Sequence, residues 1–366
     1  MHHRVGVARA NLLADRRRLT AGVFGIGLAI MLVLLLDGLW QGLERQASAY
    51  PDSVGAGLFV TQRGVRDFLG ETSTIPIATV DRVRATPGVD WADPVRGQYV
   101  VFDLHDTKIA AYVVGYERGG HGGPWELDSG REPRRDDEVV VDRALARRHG
   151  LDVGDHLEVA GSPFTIVGLA RASAVMTGFV FMTHRATAEL FRTPGTTSFV
   201  LVGTSTPGAV QARLEREGLA VLTRGRVAAN DRELFIGVFG SPLRLMVAVA
   251  FAVGALVIAL TVYASVVERR REYGIVKAIG ASGRAITGMV VRQTLMLTAI
   301  GLAVGGVLFV GARWVLAAMR PQFSIVLTSG GVVRALVAAL AMGLVASVIP
   351  ARAVATAEPA AVYRGR

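Results

Sequence analysis

Apolar and polar positions are distributed unevenly along the chain, and the unevenness takes two forms. In four runs, Leu19–Leu36, Leu245–Val267, Gln293–Ala312 and Ala335–Ala351, no charged side chain occurs at all. Crossing about 30 Å of hydrocarbon takes roughly 17–25 helical residues, so each run is long enough. A buried helix of a soluble protein would normally keep a polar stripe, and these keep none. They predict four transmembrane helices. The first run also has the flanks of a secretory signal, with Ala47-Ser48-Ala49 as a cleavage-like site. Its apolar stretch exceeds the about 7–15 residues usual for such signals, which predicts a retained helix.

Between the first and second runs the pattern changes to short alternating stretches. "GLFVTQ" predicts a strand, and "PIATVDRVRATPG" a helix with Pro76 near its start and Gly88 past its end. "GQYVVFDL" and "IAAYVVGY" predict two strands joined by a turn at "HDTK". Near the far end "TSFVLVGT", "PGAVQARLEREG" and "LAVLTRG" repeat the β-α-β order. Residues 125–190 between these halves are β-rich, broken by Gly150, Gly154, Gly161 and Pro163, with "DRALARRHG" as a helix and "GFVFMTHRATAELF" as a further strand and helix. The expectation is an α+β domain of porter-like β-α-β halves carrying an inserted β-rich subdomain.

Composition agrees with a membrane protein: 51% hydrophobic, 19% charged, mean hydropathy +0.41. Segments 1–18, 268–292 and 351–366 hold five, six and three basic residues against one, two and one acidic, a net of +10 that equals the charge of the whole chain. Basic residues concentrate on the cytoplasmic side, so both termini are expected in the cytoplasm and the long segment outside. This makes the pI near 10.7 a topology signal rather than a sign of nucleic-acid binding, with some attraction to anionic membrane lipids. Arg313, Arg320 and Arg334 in and beside the short outer loop run against the rule. The chain has no cysteine, so the outer domain depends on its own core.

The expected organisation is therefore a polytopic α-helical membrane protein with this order: cytoplasmic segment 1–18, first span 19–40, extracytoplasmic domain 41–238, second span and stalk 239–267, cytoplasmic helix and loop 268–289, third span 290–315, outer loop 316–331, fourth span 332–350 and tail 351–366.

The stretch after the second run, "ERRREYGIVKAIGASGRAI", is distinctive. Arg269, Arg270 and Arg271 would each cost roughly 2.5–3.5 kcal/mol at mid-bilayer, so the span must stop near Val267. Nothing there breaks the helix. Beyond it Ile275, Val276 and Ile279 are expected on one side of a short amphipathic helix, with Glu272 and Lys277 on the other. Gly280 is the expected C-cap, and Ser282 the N-cap of the next helix. From the residues alone this is either a basic loop anchoring the helix ends or a lever that a partner moves.

The segment resembles the one after the second span in MacB/FtsX-family ABC transporter permeases, with Glu268, Arg269, Glu272, Tyr273, Gly274, Ile275, Lys277, Ala278, Ile279, Gly280, Ala281 and Ser282 in its pattern. "ASVIPARAVATAEPAAVYR" is similar to the family's ending, and residues 130–170 to its outer domain. The resemblance implies that two four-span subunits pair, as a homodimer or a heterodimer, with an ABC ATPase under each, and that these twelve residues form the coupling site. It places the chain in a bacterial cell membrane. It implies ATP and magnesium in the ATPase and no cofactor in this chain. It also implies either transport of an amphiphile, peptide or lipid, or signalling to an extracytoplasmic protein such as a cell-wall hydrolase. A membrane-anchored receptor without an ATPase is the third reading.

No G-x-x-x-x-G-K-[ST] phosphate loop occurs in the sequence, so ATPase activity is expected in a separate chain and none in this one. Other candidate chemistry is sparse. His149 and His156 are expected at the surface, and Asp136, Asp137 and Glu138 form either a cation site or a solvated strand entry. Ser129 and Ser162 lack a hydrolase frame. Asp37 is expected at the interface, and "GLAVGGVLFVG" permits close helix packing, within the chain or across a dimer seam.

Overall fold

The computed structural model describes residues 16–104, 107–171, 173–174, 177–279, 281–319 and 324–355. Its elements in order are α1 (Arg16–Ala47), α2 (Ala49–Ser53), β1 (Leu58–Thr61), β2 (Ile75–Pro76), α3 (Thr79–Arg84), β3 (Trp91–Leu104), β4 (Thr107–Tyr116), β5 (Leu127–Gly130), β6 (Glu138–Asp142) and α4 (Arg143–His149). There follow β7 (His156–Val159), β8 (Ser162–Ala170), β9 (Ser173–Ala174), β10 (Thr177–Thr183), α5 (His184–Leu190), β11 (Thr196–Thr197), β12 (Phe199–Gly203), α6 (Pro207–Arg216) and β13 (Ala220–Thr223). Four more helices complete the chain: α7 (Arg224–Glu268), α8 (Arg270–Ala278), α9 (Gly283–Met319) and α10 (Ser329–Ala355). Residues divide into two compact units, 1–41 with 241–316 and 325–366, and 42–240 with 317–324.

In the first unit α1, α7, α9 and α10 are each long and apolar enough to cross a membrane. Each helix outruns its uncharged run, because the polar flanks remain good helix formers. Small residues let α1 pack closely on its neighbours. A methyl added at Gly22 would stand 2.5 Å from Thr261 Cγ2, and one at Gly25 2.9 Å from Val257. On another side, a methyl at Gly301 would run into Ile26, and one at Gly305 would stand 2.8 Å from the Gly27 carbonyl oxygen. In the third span, Gly301 and Gly305 thus serve packing within the chain. Gly306 and Gly311 have nothing within 4 Å of such a methyl. Packing of this kind matters in lipid, where the hydrophobic effect does not draw helices together.

Asp37 finds a partner in Arg334 of α10, with Nε to Oδ1 at 2.6 Å and Nη2 to Oδ2 at 3.0 Å. That bidentate pair accounts for one of the three arginines that run against the charge rule. A methyl at Gly331 would lie 2.5 Å from Asp37 Oδ2, so only glycine leaves the carboxylate room there.

The second unit is built on one eleven-stranded mixed sheet, with order β13-β1-β12-β3-β4-β10-β6-β8-β5, plus β7 on β8 and β9 on β10. Strand alternation assigns its faces. Phe59, Phe199, Leu201, Val95, Tyr112, Val114, Phe179, Phe181 and Val140 all point into one aromatic-rich core. On the opposite face, Leu58, Val60, Val200 and Val202 pack with Val80 and Val83 of α3 and Val210 and Leu214 of α6. Farther along that face, Ala111, Val113, Val139, Val141, Val180 and Met182 pack with Leu145 and Ala146 of α4 and Ala186 of α5. The inserted stretch 125–190 therefore shares both its core on that face, through Ala111 and Val113 of β4, and its sheet with the rest of the domain. Parallel pairing of β10 with β4 makes the join.

Local signals explain the helices. Asp142 Oδ1 accepts from Ala144 N at 2.5 Å and Leu145 N at 3.3 Å to start α4, and Gly150 ends it at φ +66°. Pro207 sits in the first turn of α6, where its missing N–H is not needed. Pro76 instead lies in β2, paired with Thr196, so the expected helix begins later, at Thr79. The expected "HDTK" turn includes residues 105–106, outside the described residues. Asp231 is fully buried near the start of α7, and its Oδ1 accepts from Phe68 N and Leu69 N, both at 2.9 Å.

Two predictions follow from this packing. Gly305→Val should lower the detergent-solubilised protein's stability by about 1–3 kcal/mol through overpacking, while Gly306→Ala leaves it unchanged, read by thermal unfolding. Glu138 accepts both Arg131 nitrogens at 2.7 Å, a contact that holds its carboxyl at about 2, below the usual carboxylate range. A depressed carboxylate contributes stability at neutral pH that is lost as pH falls from about 4.5 toward 2. Glu138→Gln should therefore cost on the order of 2 kcal/mol at pH 7. The deficit should shrink through that acid window when thermal unfolding is followed against pH.

Candidate functional site

The three arginines end the apolar run, and helix resumes one residue after α7 ends. Arg269 stands between α7 and α8, yet Arg269 N still reaches Ser265 O at 3.3 Å and Tyr273 N reaches Arg269 O at 3.1 Å. The hydrogen-bond ladder thus carries across the junction that Glu268 and Arg269 form. At the far end Ile279 N bonds Ile275 O at 3.0 Å, and Ala281 N bonds Val276 O at 3.1 Å. The latter, five residues back, is the closure expected where a helix stops. Gly280, the expected C-cap, lies outside the described residues, as do the side chains of Lys277 and Ala278. Ser282 Oγ accepts from Ala285 N at 3.3 Å and caps α9, as its place in the sequence suggests.

Side chains on α8 divide into a held face and an open face. Tyr273 packs on the core of the spans, and Ala281 beyond the helix end does the same. The Tyr273 hydroxyl comes within 3.5 Å of Gln293 Oε1, and Gln293 Nε2 donates to Ser265 Oγ at 3.0 Å. This chain of polar groups ties α8 to α9 and α7 together. Burial raises the Tyr273 hydroxyl pKa, so it stays a neutral donor.

On the open face Ile275 is 46% exposed and Ile279 80%, and Glu272 is exposed with them. Glu272 was expected on the side away from the isoleucines, and the structure corrects this. At about 100° per residue, positions 272, 275 and 279 fall within one stripe, with Tyr273 turned inward. Gly274 and Val276 are half-buried. The result is an apolar pair with a carboxylate at its edge, on a helix held at both ends. Sequence reasoning missed Gln293 and Ser265, which form the latch. Their only signal was polarity within or beside uncharged runs.

Elsewhere the candidate groups are engaged. Asp136 accepts from Thr183 Oγ1 at 2.5 Å, Asp137 pairs with Arg135 at 2.5 Å, and Glu138 with Arg131. No group of three metal-ligating side chains occurs among the described residues. His156 Nδ1 lies 3.4 Å from Thr165 Oγ1, Ser129 sits in β5 and Ser162 opens β8. One prediction tests the latch. Tyr273→Ala should speed tryptic cleavage at Arg269–Arg271 severalfold in the folded protein, whereas Glu272→Ala, on the open face, should leave the rate unchanged.

Residues 20–217 match the family of MacB-like periplasmic core domains, and residues 244–359 the FtsX-like permease C-terminal family. An uncharacterized ABC transporter permease of Mycobacterium tuberculosis strain H37Rv is 29% identical over 357 residues, 96% of each chain. A macrolide export ATP-binding/permease protein MacB of Nitrosomonas europaea is 23% identical, covering 98% of this chain and 58% of its own length. Among solved structures, the periplasmic region of MacB from Actinobacillus actinomycetemcomitans is similar at a TM-score of 0.38 and 11% identity, covering 49% of this chain and 92% of its own. The chain is a four-span ABC transporter permease with an α/β domain between its first and second spans, and it belongs to the MacB/FtsX-like family.

Proposed function

We propose that an ABC ATPase subunit docks on residues 268–282 and that this chain carries its motion to the domain between the first two spans. The observation that carries the reading is the Ile275–Ile279 pair, exposed on a helix that Tyr273, Ala281 and Ser282 hold in place. Large apolar side chains outside a bilayer are stable when a partner covers them, and a helix laid in an apolar groove is one common way to do this. Glu272 and the neighbouring arginines would orient that partner, since charges at the rim set register more than affinity. ATP and magnesium act in the partner.

In this reading the three basic segments face the cytoplasm, and the sheet domain lies outside a bacterial cell membrane. Two permease subunits, alike or paralogous, make the working unit. Closure of the ATPases pushes α8, and the hydrogen-bonded junction at Arg269 passes the displacement into α7. The product of the cycle is extraction or export of an amphiphile, peptide or lipid.

Ile279→Asp, alone or with Ile275→Asp, should abolish co-purification with the ATPase and reduce coupled ATP hydrolysis at least tenfold. Thermal unfolding of the permease should not change, because both positions are exposed. Retained co-purification and coupling in the double variant would contradict the docking role.

A further inference from the structure

Within the sheet-bearing unit, a cleft of about 440 Å³ opens between the end of α1 and the start of α4. Arg45, Arg143, Arg147 and Arg171 line it, together with Trp125 and Asp142. Its volume is in the range of small-molecule sites. The charges around it do not balance internally. Arg143 reaches Asp128 at 2.6 Å, and Arg171 reaches Asp128 at 3.0 Å and Glu126 at 2.9 Å. Asp142 turns Oδ1 to the backbone of α4. Arg45 and Arg147 are exposed and pair with no carboxylate among the described residues.

Trp125 supplies the apolar wall. It is half-buried and stands edge-on to Phe179 at 5.9 Å, Phe181 at 6.2 Å and Tyr50 at 6.3 Å between ring centroids. An indole held by three aromatic rings cannot swing away, so it offers a fixed surface. Arginine is suited to the other half of the task, because its planar fork binds phosphate and carboxylate oxygens in pairs. Arg45 stands nine residues after Leu36, the end of the first uncharged run, which makes a membrane lipid one of two sources for a ligand.

The geometry points to this cleft as a binding site for a phosphate-type anion, held by Arg45 and Arg147, with an attached apolar group against Trp125. The inference deepens the transport reading by naming a substrate class, and it rests on that reading for its purpose. Two sources share the chemistry, an anionic lipid headgroup and a soluble phosphate.

The test uses the full-length protein in non-ionic detergent, without ATPase or nucleotide, so a failure of ATPase coupling leaves its result intact. Dihexanoylphosphatidylglycerol, dihexanoylphosphatidylcholine and inorganic phosphate are titrated separately and binding is read by calorimetry. We expect the phosphatidylglycerol to bind at least tenfold tighter than the phosphatidylcholine. Combining Arg45→Gln with Arg147→Gln should weaken it at least tenfold, whereas Arg45→Lys with Arg147→Lys should cost only severalfold, showing that the fold survives. If the phosphatidylglycerol exceeds inorganic phosphate and Trp125→Phe narrows the gap, the site takes a lipid. If inorganic phosphate binds as tightly and is lost in the glutamine variant, the site takes a soluble anion. Equal binding of the two lipids, or binding indifferent to the glutamine variant, overturns the assignment.

Discussion

Three consecutive arginines cannot be left in hydrocarbon, and the connection between the second and third spans follows from that constraint. The apolar run must end at Val267, so the chain has to turn in a polar setting before the third span begins. A loose loop would satisfy the constraint equally well. Instead Tyr273, Gln293 and Ser265 close a polar chain between the connecting helix and the spans that flank it. A segment fixed in this way is coupled to the helices on either side of it. Its two isoleucines remain uncovered on the face turned away from that latch.

The sheet domain relies on backbone rather than on sulfur. With no cysteine in the chain, the sheet domain is held by one ladder of strands whose two faces carry separate cores. One face is filled by rings, with Tyr50 and Phe68 stacked at 4.2 Å and Phe68, Tyr112 and Phe199 in contact beside them. Asp231 binds two backbone amides of the segment that carries Phe68, so the start of α7 is anchored to this core. The same helix is hydrogen-bonded into α8 at its other end.

The sequence revealed whatever depended on local pattern. Uncharged runs gave the spans, since a bilayer filters by length and charge alone. Alternation gave β1, β12 and β13, and Ser282 announced its helix because capping is decided within three residues. What escaped was set by distance along the chain. The insertion looked like a separate subdomain because Gly150, Gly154, Gly161 and Pro163 punctuate it, whereas the parallel pairing of β10 with β4 joins residues some seventy positions apart. Glu272 was assigned to the wrong side of its helix, an error of angle that counting at 100° per residue removes. Gln293 carries only its polarity and the arginines of the cleft no local signature, because their meaning comes from neighbours on other elements.

The account depends most directly on what covers Ile275 and Ile279. Because the chain has no cysteine of its own, a single cysteine at either position can be crosslinked in native membranes without background from this protein. Capture of a nucleotide-hydrolysing subunit from both positions, and not from Gly306→Cys in the third span, is the predicted result. Cysteines at 275 and 279 that are fully accessible yet capture no such subunit would contradict it, leaving the helix as an anchor with no force to transmit.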